Sequence, residues 1–306
     1  FVFTATVEGA GALLLSLFWM NEYSLLQAVH LGIFHAVSAF CNAGFSLFST
    51  SFMDYRASPL INLIICSLIV SGGIGFPVVY EIRQRFASRV VKRPRLSIHT
   101  KSALISTTVL IAGGTAAFFW TEQGNILNGV SWSESIWISL FQSITVRTAG
   151  FNTVDIGQLA NSTLLMMMAL MFWGASPGST GGGVKTTTFA VLCAFTWSRI
   201  RRMTYVNMFK KTLPQDTLTR SVALVVLSIG FISAIFFFLL LSQGEGSASS
   251  ASRDEFVDYL FEVISAFGTV GLSTGVTARL NAVGKILIII MMLIGRVGVL
   301  TFGYVL

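Results

Sequence analysis

Six stretches of this chain, 1–20, 59–80, 102–120, 163–197, 222–241 and 282–306, are apolar over about the 20 residues that an α-helix needs to cross a hydrocarbon core of about 30 Å. Only 11% of the residues are charged and mean hydropathy is +0.76, whereas soluble domains carry about a quarter charged residues. These features exclude a water-soluble globule and predict an all-α, multi-pass integral membrane protein. The first run has neither a basic leader nor an A-x-A cleavage site, so it is not expected to be a signal peptide. Cys41, Cys66 and Cys193 are expected as free thiols in buried sites.

Charge orients the chain. Thirteen of its twenty Lys and Arg residues lie in two connections. One, 81–101, holds Arg83, Arg85, Arg89, Lys92, Arg93, Arg95 and Lys101; the other, around 199–220, holds Arg199, Arg201, Arg202, Lys210, Lys211 and Arg220. Short basic connections stay on the cytoplasmic side, so the acid-bearing connections 20–24, 121–134 and 243–258 face outward. The basic stretches are read as solvated loops or contacts with anionic lipid. Nothing resembles a nucleic-acid-binding module.

Between the two spans of each pair lies a repeated layout: a helix too short to cross, a Gly-centred run, then a polar exit. The three copies centre on Gly44, Gly150 and Gly271 and run 34–46, 140–153 and 260–274. A re-entrant helix followed by irregular backbone is tolerated at membrane depth only where it lines a cavity or is buried in protein. Glycine reaches positive φ, which lets successive carbonyls aim at one axis. Carbonyls replace the hydration shell of a cation while letting it leave, and the C-terminal end of the short helix adds partial negative charge. Asn42, Thr148, Asn152, Thr269 and Ser273 are expected behind such a path or at its mouth. The bland alternative is close packing of transmembrane helices on small residues; three glycines at matching places argue against it.

The run 163–197 is too long for one span, and its centre reads Gly174, Ala175, Ser176, Pro177, Gly178, Ser179, Thr180, Gly181, Gly182, Gly183, Val184, Lys185. Glycine and proline at that density break a helix. A Walker loop is excluded because Val184 separates Gly183 from Lys185. A flexible intramembrane gate is the expectation. Arg296, in the last apolar run, is expected to face the bundle interior as a barrier to cations, with snorkelling or a structural ion pair as the alternative. Arg147 is expected either to brace its segment through Asp155 or Glu134, or to act in conduction.

These strings, in this order, resemble the Trk/Ktr/HKT superfamily of potassium transporters, and most of all its bacterial Ktr-type membrane subunits; the resemblance covers essentially the whole chain. It implies span-pore-span units around a central ion pore, three of an expected four here. The units fall at 1–80, 102–198 and 219–306, separated by basic loops 81–101 and 199–218, with the first unit expected before Phe1. The filter maps onto Cys41, Asn42, Ala43 and Gly44; Arg147, Thr148, Ala149 and Gly150; and Gly268, Thr269, Val270 and Gly271. The gate maps onto residues 174–183 with Lys185, and the pore-facing arginine onto Arg296. Further implications are K⁺ as the permeant ion bound by backbone carbonyls, Na⁺ as an activator, no covalent cofactor, and a homodimer in the plasma or bacterial inner membrane. A cytosolic ring, which would bind the regulating nucleotide in place of this chain, is expected to contact the basic loops. Val299 stands where the pattern has proline, so the last helix is expected to be less kinked.

Other readings remain at this stage. A secondary carrier would use broken helices at inverted repeats, but these repeats share one orientation. A membrane enzyme would need catalytic groups, and His30, His35 and His99 have no ligand spacing with carboxylates. A non-conducting scaffold would need no Gly-centred segments.

Overall fold

The computed structural model describes residues 2–87, 96–243 and 250–299. Arg89, Lys92, Arg93 and Arg95 of the first basic stretch and 300–306 of the last apolar run lie outside these residues. The first unit contains α1 (Val2–Trp19), α2 (Leu25–Phe40) and α3 (Pro59–Gly73), followed by α4 (Phe76–Ala87). The second contains α5 (Ile98–Glu122), α6 (Trp132–Thr145), α7 (Asn161–Phe172) and α8 (Thr186–Ile200). A short hairpin, β1 (Asn207–Met208) and β2 (Lys211–Thr212), leads to the third, α9 (Gln215–Ser242), α10 (Ser250–Gly268) and α11 (Ala282–Val297).

Local chemistry sets several boundaries. Ser97, Ser131 and Asn281 cap α5, α6 and α11 by accepting the backbone N–H of Thr100, Glu134 and Gly284. Pro59 opens α3, where its missing N–H costs nothing.

Among the described residues, only the first helix of each unit, α1, α5 and α9, is long and apolar enough to span as a single helix. The returning helices are shorter, and each ends at a break. After α3 the chain bends by 97° into α4, with Gly75 at φ +91°. The glycine-rich loop follows α7. Gly298, at φ +95°, ends α11, so the chain breaks from the helix there without the proline whose absence was expected to leave the end less kinked. The span expected over 59–80 is therefore a 15-residue helix, about 22 Å long, plus a helix turned off its axis. Of the three free thiols, only Cys66 is buried; Cys41 and Cys193 are exposed, contrary to expectation.

The units join by one rule: α3 packs on α6, and α7 packs on α10. The core follows the same rule. Phe40, Ile65 and Leu68 of the first unit cluster with Phe141, Ala149 and Phe151 of the second; Met167 and Met171 of the second cluster with Phe261 and Val270 of the third. Within the first unit, packing depends on close backbone approach. A Cβ on Gly72 of α3 would sit 1.8 Å from the Phe40 carbonyl oxygen at the end of α2, while one on Gly113 in α5 would meet nothing within 4 Å. Gly72→Ala is expected to lower thermal stability of the full-length protein in detergent by about 1–3 kcal/mol or more, because α3 must leave α2. Gly113→Ala should be neutral or stabilising by about 0.5–1 kcal/mol; equal melting temperatures for the two variants would refute this packing account.

Candidate functional site

Each short helix delivers its chain into a segment with alternating backbone sign. Asn42 and Gly44 lie at φ +51° and +72°, Thr148 and Gly150 at +85° and +86°, Thr269 and Gly271 at +52° and +89°. Glycine accepts this region freely and asparagine tolerates it, but a β-branched residue there is an outlier held by its surroundings. Two of the three first positions are threonine. Cys41, Arg147 and Gly268 stand one residue earlier, at the helix ends. Cys41 caps α2, with its thiol turned toward Glu8 at 3.9 Å, and Gly268 is the last residue of α10. The irregular backbone proper is thus Asn42, Ala43, Gly44; Thr148, Ala149, Gly150; and Thr269, Val270, Gly271.

The three segments lie edge to edge. A Cβ on Gly44 would sit 2.4 Å from the Ala149 carbonyl oxygen, and one on Gly150 would sit 2.2 Å from that of Val270. The series runs in one direction, and among the described residues a Cβ on Gly271 would meet nothing within 4 Å. On that side a cavity of about 490 Å³ is lined by Gly44, Thr269, Gly271 and Arg296, among others.

Two side-chain struts recur in each unit. Ser38, Thr145 and Ser265 donate to the carbonyls of Phe45, Phe151 and Leu272, the residues just after the three glycines, at 2.8, 2.6 and 2.7 Å. Three residues earlier, His35 bonds Ser46 Oγ at 3.1 Å, Gln142 Nε2 donates to Thr153 Oγ1 at 3.3 Å, and Glu262 accepts from Ser273 and Thr277. His35, Gln142 and Glu262 are all buried. Sequence reasoning missed these struts. Their signal is the spacing Phe34-His35, Phe141-Gln142 and Phe261-Glu262, each followed three residues on by a hydroxyl.

The glycine-rich loop lies against the same segments. A Cβ on Gly181 would meet Thr148 Oγ1 at 2.2 Å, and one on Gly182 would meet Thr269 Oγ1 at 2.4 Å. The Gly182 N–H donates to Thr269 Oγ1 at 3.0 Å. With the Asn42 amide turned so that its nitrogen faces the Ala39 and Ile69 carbonyls, its oxygen accepts from Thr180 at 3.3 Å. The loop also bonds to the bend after α3: Ser176 N–H donates to Gly73 O at 3.0 Å, and Phe76 N–H to Gly178 O at 3.1 Å. A Cβ on Gly75 would meet Pro177 O at 2.5 Å. Inside the loop, Ser179 Oγ donates to Ser176 O, and Thr186 N–H to Ala175 O at 3.3 Å. The segment expected to be flexible is bonded to all three units.

Three cations attend this loop. Arg147 is buried, and its guanidinium reaches Thr107 O, Thr107 Oγ1 and Gly174 O at 3.5, 3.4 and 3.5 Å. The expected brace through Asp155 or Glu134 is not formed, because Asp155 accepts from Gly157 and Gln158, while Glu134 pairs with Arg56 at 3.1 Å. Lys185 precedes α8, and its ammonium donates to Gly181 O at 2.7 Å. Arg296 donates to Thr180 O. Glu8, the lone acid in the first apolar run, escaped the sequence reading; an intramembrane carboxylate beside the first segment was its signal.

Comparison with known proteins follows this geometry. The family described as TrkH, cation transport protein, matches residues 1–304. Ktr system potassium uptake protein B of Vibrio alginolyticus is 39% identical over 99% of this chain and 65% of its own length. Ktr system potassium uptake protein D of Bacillus subtilis is 37% identical over 97% and 64%, and the potassium/sodium uptake protein NtpJ of Enterococcus hirae is 34% identical over 98% and 64%. The chain thus spans somewhat less than two thirds of the length of these relatives. The crystal structure of the potassium transporter TrkH from Vibrio parahaemolyticus shares the fold with a TM-score of 0.76 at 20% identity, covering 98% of this chain and 62% of that one. A family match over residues 1–304, together with the shared fold, makes this chain a member of the TrkH family of cation transport proteins, embedded in the membrane.

Proposed function

We propose that this chain supplies three walls of a potassium uptake path, with the Gly44, Gly150 and Gly271 segments as filter and residues 174–183 as an intramembrane gate. The observation that carries the reading is the alternating φ at paired positions in three abutting segments. That backbone turns successive carbonyls to one side, where uncharged dipoles replace the water around a dehydrated cation. The open side beyond Gly271 and the greater length of the relatives support a fourth wall from a further segment. Lys185 and Arg296, donating to loop carbonyls, place positive charge where a cation would pass, so the closed loop opposes conduction by charge as well as by bulk. Opening requires the Gly182–Thr269, Arg296–Thr180 and Asn42–Thr180 bonds to break.

The relative named a potassium/sodium uptake protein supports sodium as an activator or second permeant ion. A homodimer and a cytosolic nucleotide-binding ring, docking on the basic inner loops, complete the proposal. K⁺ is the cargo, and no covalent cofactor takes part.

Two measurements test this. In cells lacking their own potassium uptake, the full-length protein should restore growth on low potassium. Gly150→Asp should abolish uptake, because the side chain would meet Val270 O. Arg296→Gln should raise the uptake rate; unchanged uptake in both variants would sink the assignment. The struts predict interchangeable side chains: His35→Gln and Glu262→Gln keep a polar group able to meet Ser46 or Ser273 and should preserve the K⁺/Na⁺ uptake ratio. Gln142→Leu removes the strut and should lower that ratio by about two- to tenfold, the equivalent of one hydrogen bond of about 0.5–1.5 kcal/mol. A ratio that survives Gln142→Leu would mean the struts serve stability alone.

A further inference from the structure

Away from the filter, a cavity of about 430 Å³ opens among the first turns of α5, α8 and α9 and the β1–β2 hairpin. Its wall carries two basic side chains, His99 and Arg220, and the hydroxyl-bearing Ser102, Thr187, Thr188, Thr217 and Ser221, with no carboxylate. Ser102 and Ser221 donate to their own helices, to Ile98 O and Thr217 O. The hydroxyls of Thr187 and Thr188 have no protein partner among the described residues. His99 Nε2 is buried and unpartnered there, an arrangement that is costly unless something else accepts its hydrogen. Arg220 makes no ion pair among the described residues. Of the acids in this region, Glu81 accepts from Ser97 and Thr100 and also interacts with the His99 charge, and Asp216 is exposed, outside the lining.

The cavity's depth narrows the ligand. His99 is eight residues along α5 from Thr107, which is level with Arg147, and so lies about 12 Å farther toward the basic side. Lys101 is held over the Phe209 ring at 5.6 Å, and Lys211 pairs across the hairpin with Met208, which lines the cavity. Basic pockets between transmembrane helices on this side suit acidic head groups, and the positive end of the α8 dipole adds to the field.

We propose that this cavity binds a phosphate group at the cytoplasmic membrane surface, held by Arg220, His99 Nε2 and the Thr187 and Thr188 hydroxyls, supplied either by an anionic lipid or by free phosphate. The site has a mechanical consequence. Thr186, adjoining Thr187, bonds Ser176 Oγ at 2.9 Å and Ala175 O at 3.3 Å, so a ligand that fixes the first turn of α8 also steadies one end of the glycine-rich loop.

The test titrates the purified full-length protein in detergent with phosphatidylglycerol, with phosphatidylcholine and with inorganic phosphate, reading thermal stabilisation. Phosphatidylglycerol should stabilise the wild type at lower concentration than phosphatidylcholine. Arg220→Gln and His99→Gln should each need roughly fivefold more of it, about 1 kcal/mol per basic group. Arg201→Gln, whose guanidinium lies over Trp197 outside the cavity, should titrate like wild type. Stabilisation by inorganic phosphate that is lost in the same two variants assigns the site to free phosphate; its absence assigns the site to lipid. Should Arg220→Gln fail to run as the native species on gel filtration, Arg220→Lys replaces it and should retain binding within about twofold, since a point charge still pairs with phosphate. Wild-type titrations in both Arg220→Gln and His99→Gln, or equal stabilisation by phosphatidylcholine, would overturn the proposal.

Discussion

Irregular backbone inside a bilayer must find its hydrogen-bond partners within the protein, and in this chain that demand falls on the loop from Gly174 to Lys185. Its groups are met by carbonyls, amides and hydroxyls of the bend after α3, of the filter segments and of the loop itself. The demand explains why the loop is so rich in glycine. Gly181 and Gly182 bring backbone directly against Thr148 and Thr269, where a Cβ would overlap the hydroxyls. Thr148 and Thr269 in turn hold positive φ, a conformation that costs of order 1–3 kcal/mol each and persists only when neighbours impose it. Filter and loop therefore depend on each other: the loop supplies part of the packing that holds the threonines, and Thr269 supplies an acceptor for the loop.

The struts show how three units of one design diverge without losing geometry. A histidine, a glutamine and a glutamate each stand three residues before a hydroxyl and reach the chain after the filter glycine. The common requirement is a polar group long enough to span from the short helix to the irregular chain that follows the glycine. The second unit reaches Thr153 instead of the position two residues past its glycine, and its hydroxyl pair is one residue closer, Thr145 to Phe151 against Ser38 to Phe45. That one-residue difference hides the correspondence when the units are aligned on glycine alone.

Much of the architecture was legible because membrane burial writes itself in long apolar runs and because glycine marks close approach. The break after α7 was read from Gly174 to Gly183; the bend after α3 was not, since Gly73 and Gly75 interrupt the pattern too briefly. Likewise Gly44, Gly150 and Gly271 were found, whereas Asn42, Thr148 and Thr269 at positive φ were not, because tertiary packing imposes that conformation against local preference. Arg147 was assigned the wrong partners for a related reason. Asp155 and Glu134 are near in sequence, yet its partners, Thr107 and Gly174, are 40 and 27 residues away. Sequence proximity favours a carboxylate, while the buried guanidinium is met by carbonyls and a hydroxyl.

The same carbonyl chemistry bears on the proposed gate. A permeating cation is drawn to oxygen dipoles, and in this closed arrangement the Gly181 and Thr180 carbonyls are already occupied by the Lys185 ammonium and Arg296 guanidinium. These tethered charges act as built-in competitors for the ligands a passing ion would use. Arg296 comes from α11, in the third unit, and Lys185 from the loop's own end, so the two differ in how they can leave. Lys185 moves with the loop; Arg296 stays on its helix. Withdrawal of the loop therefore separates Arg296 from Thr180 and leaves the guanidinium in need of a new partner. Among the described residues, Glu262 lines the same cavity as Arg296, although it already accepts from Ser273 and Thr277. On the proposed gate, then, the free energy of opening is set by what replaces the Thr180 carbonyl as partner of Arg296, since a ligand or partner can shift the balance only by what it contributes differently to the two states.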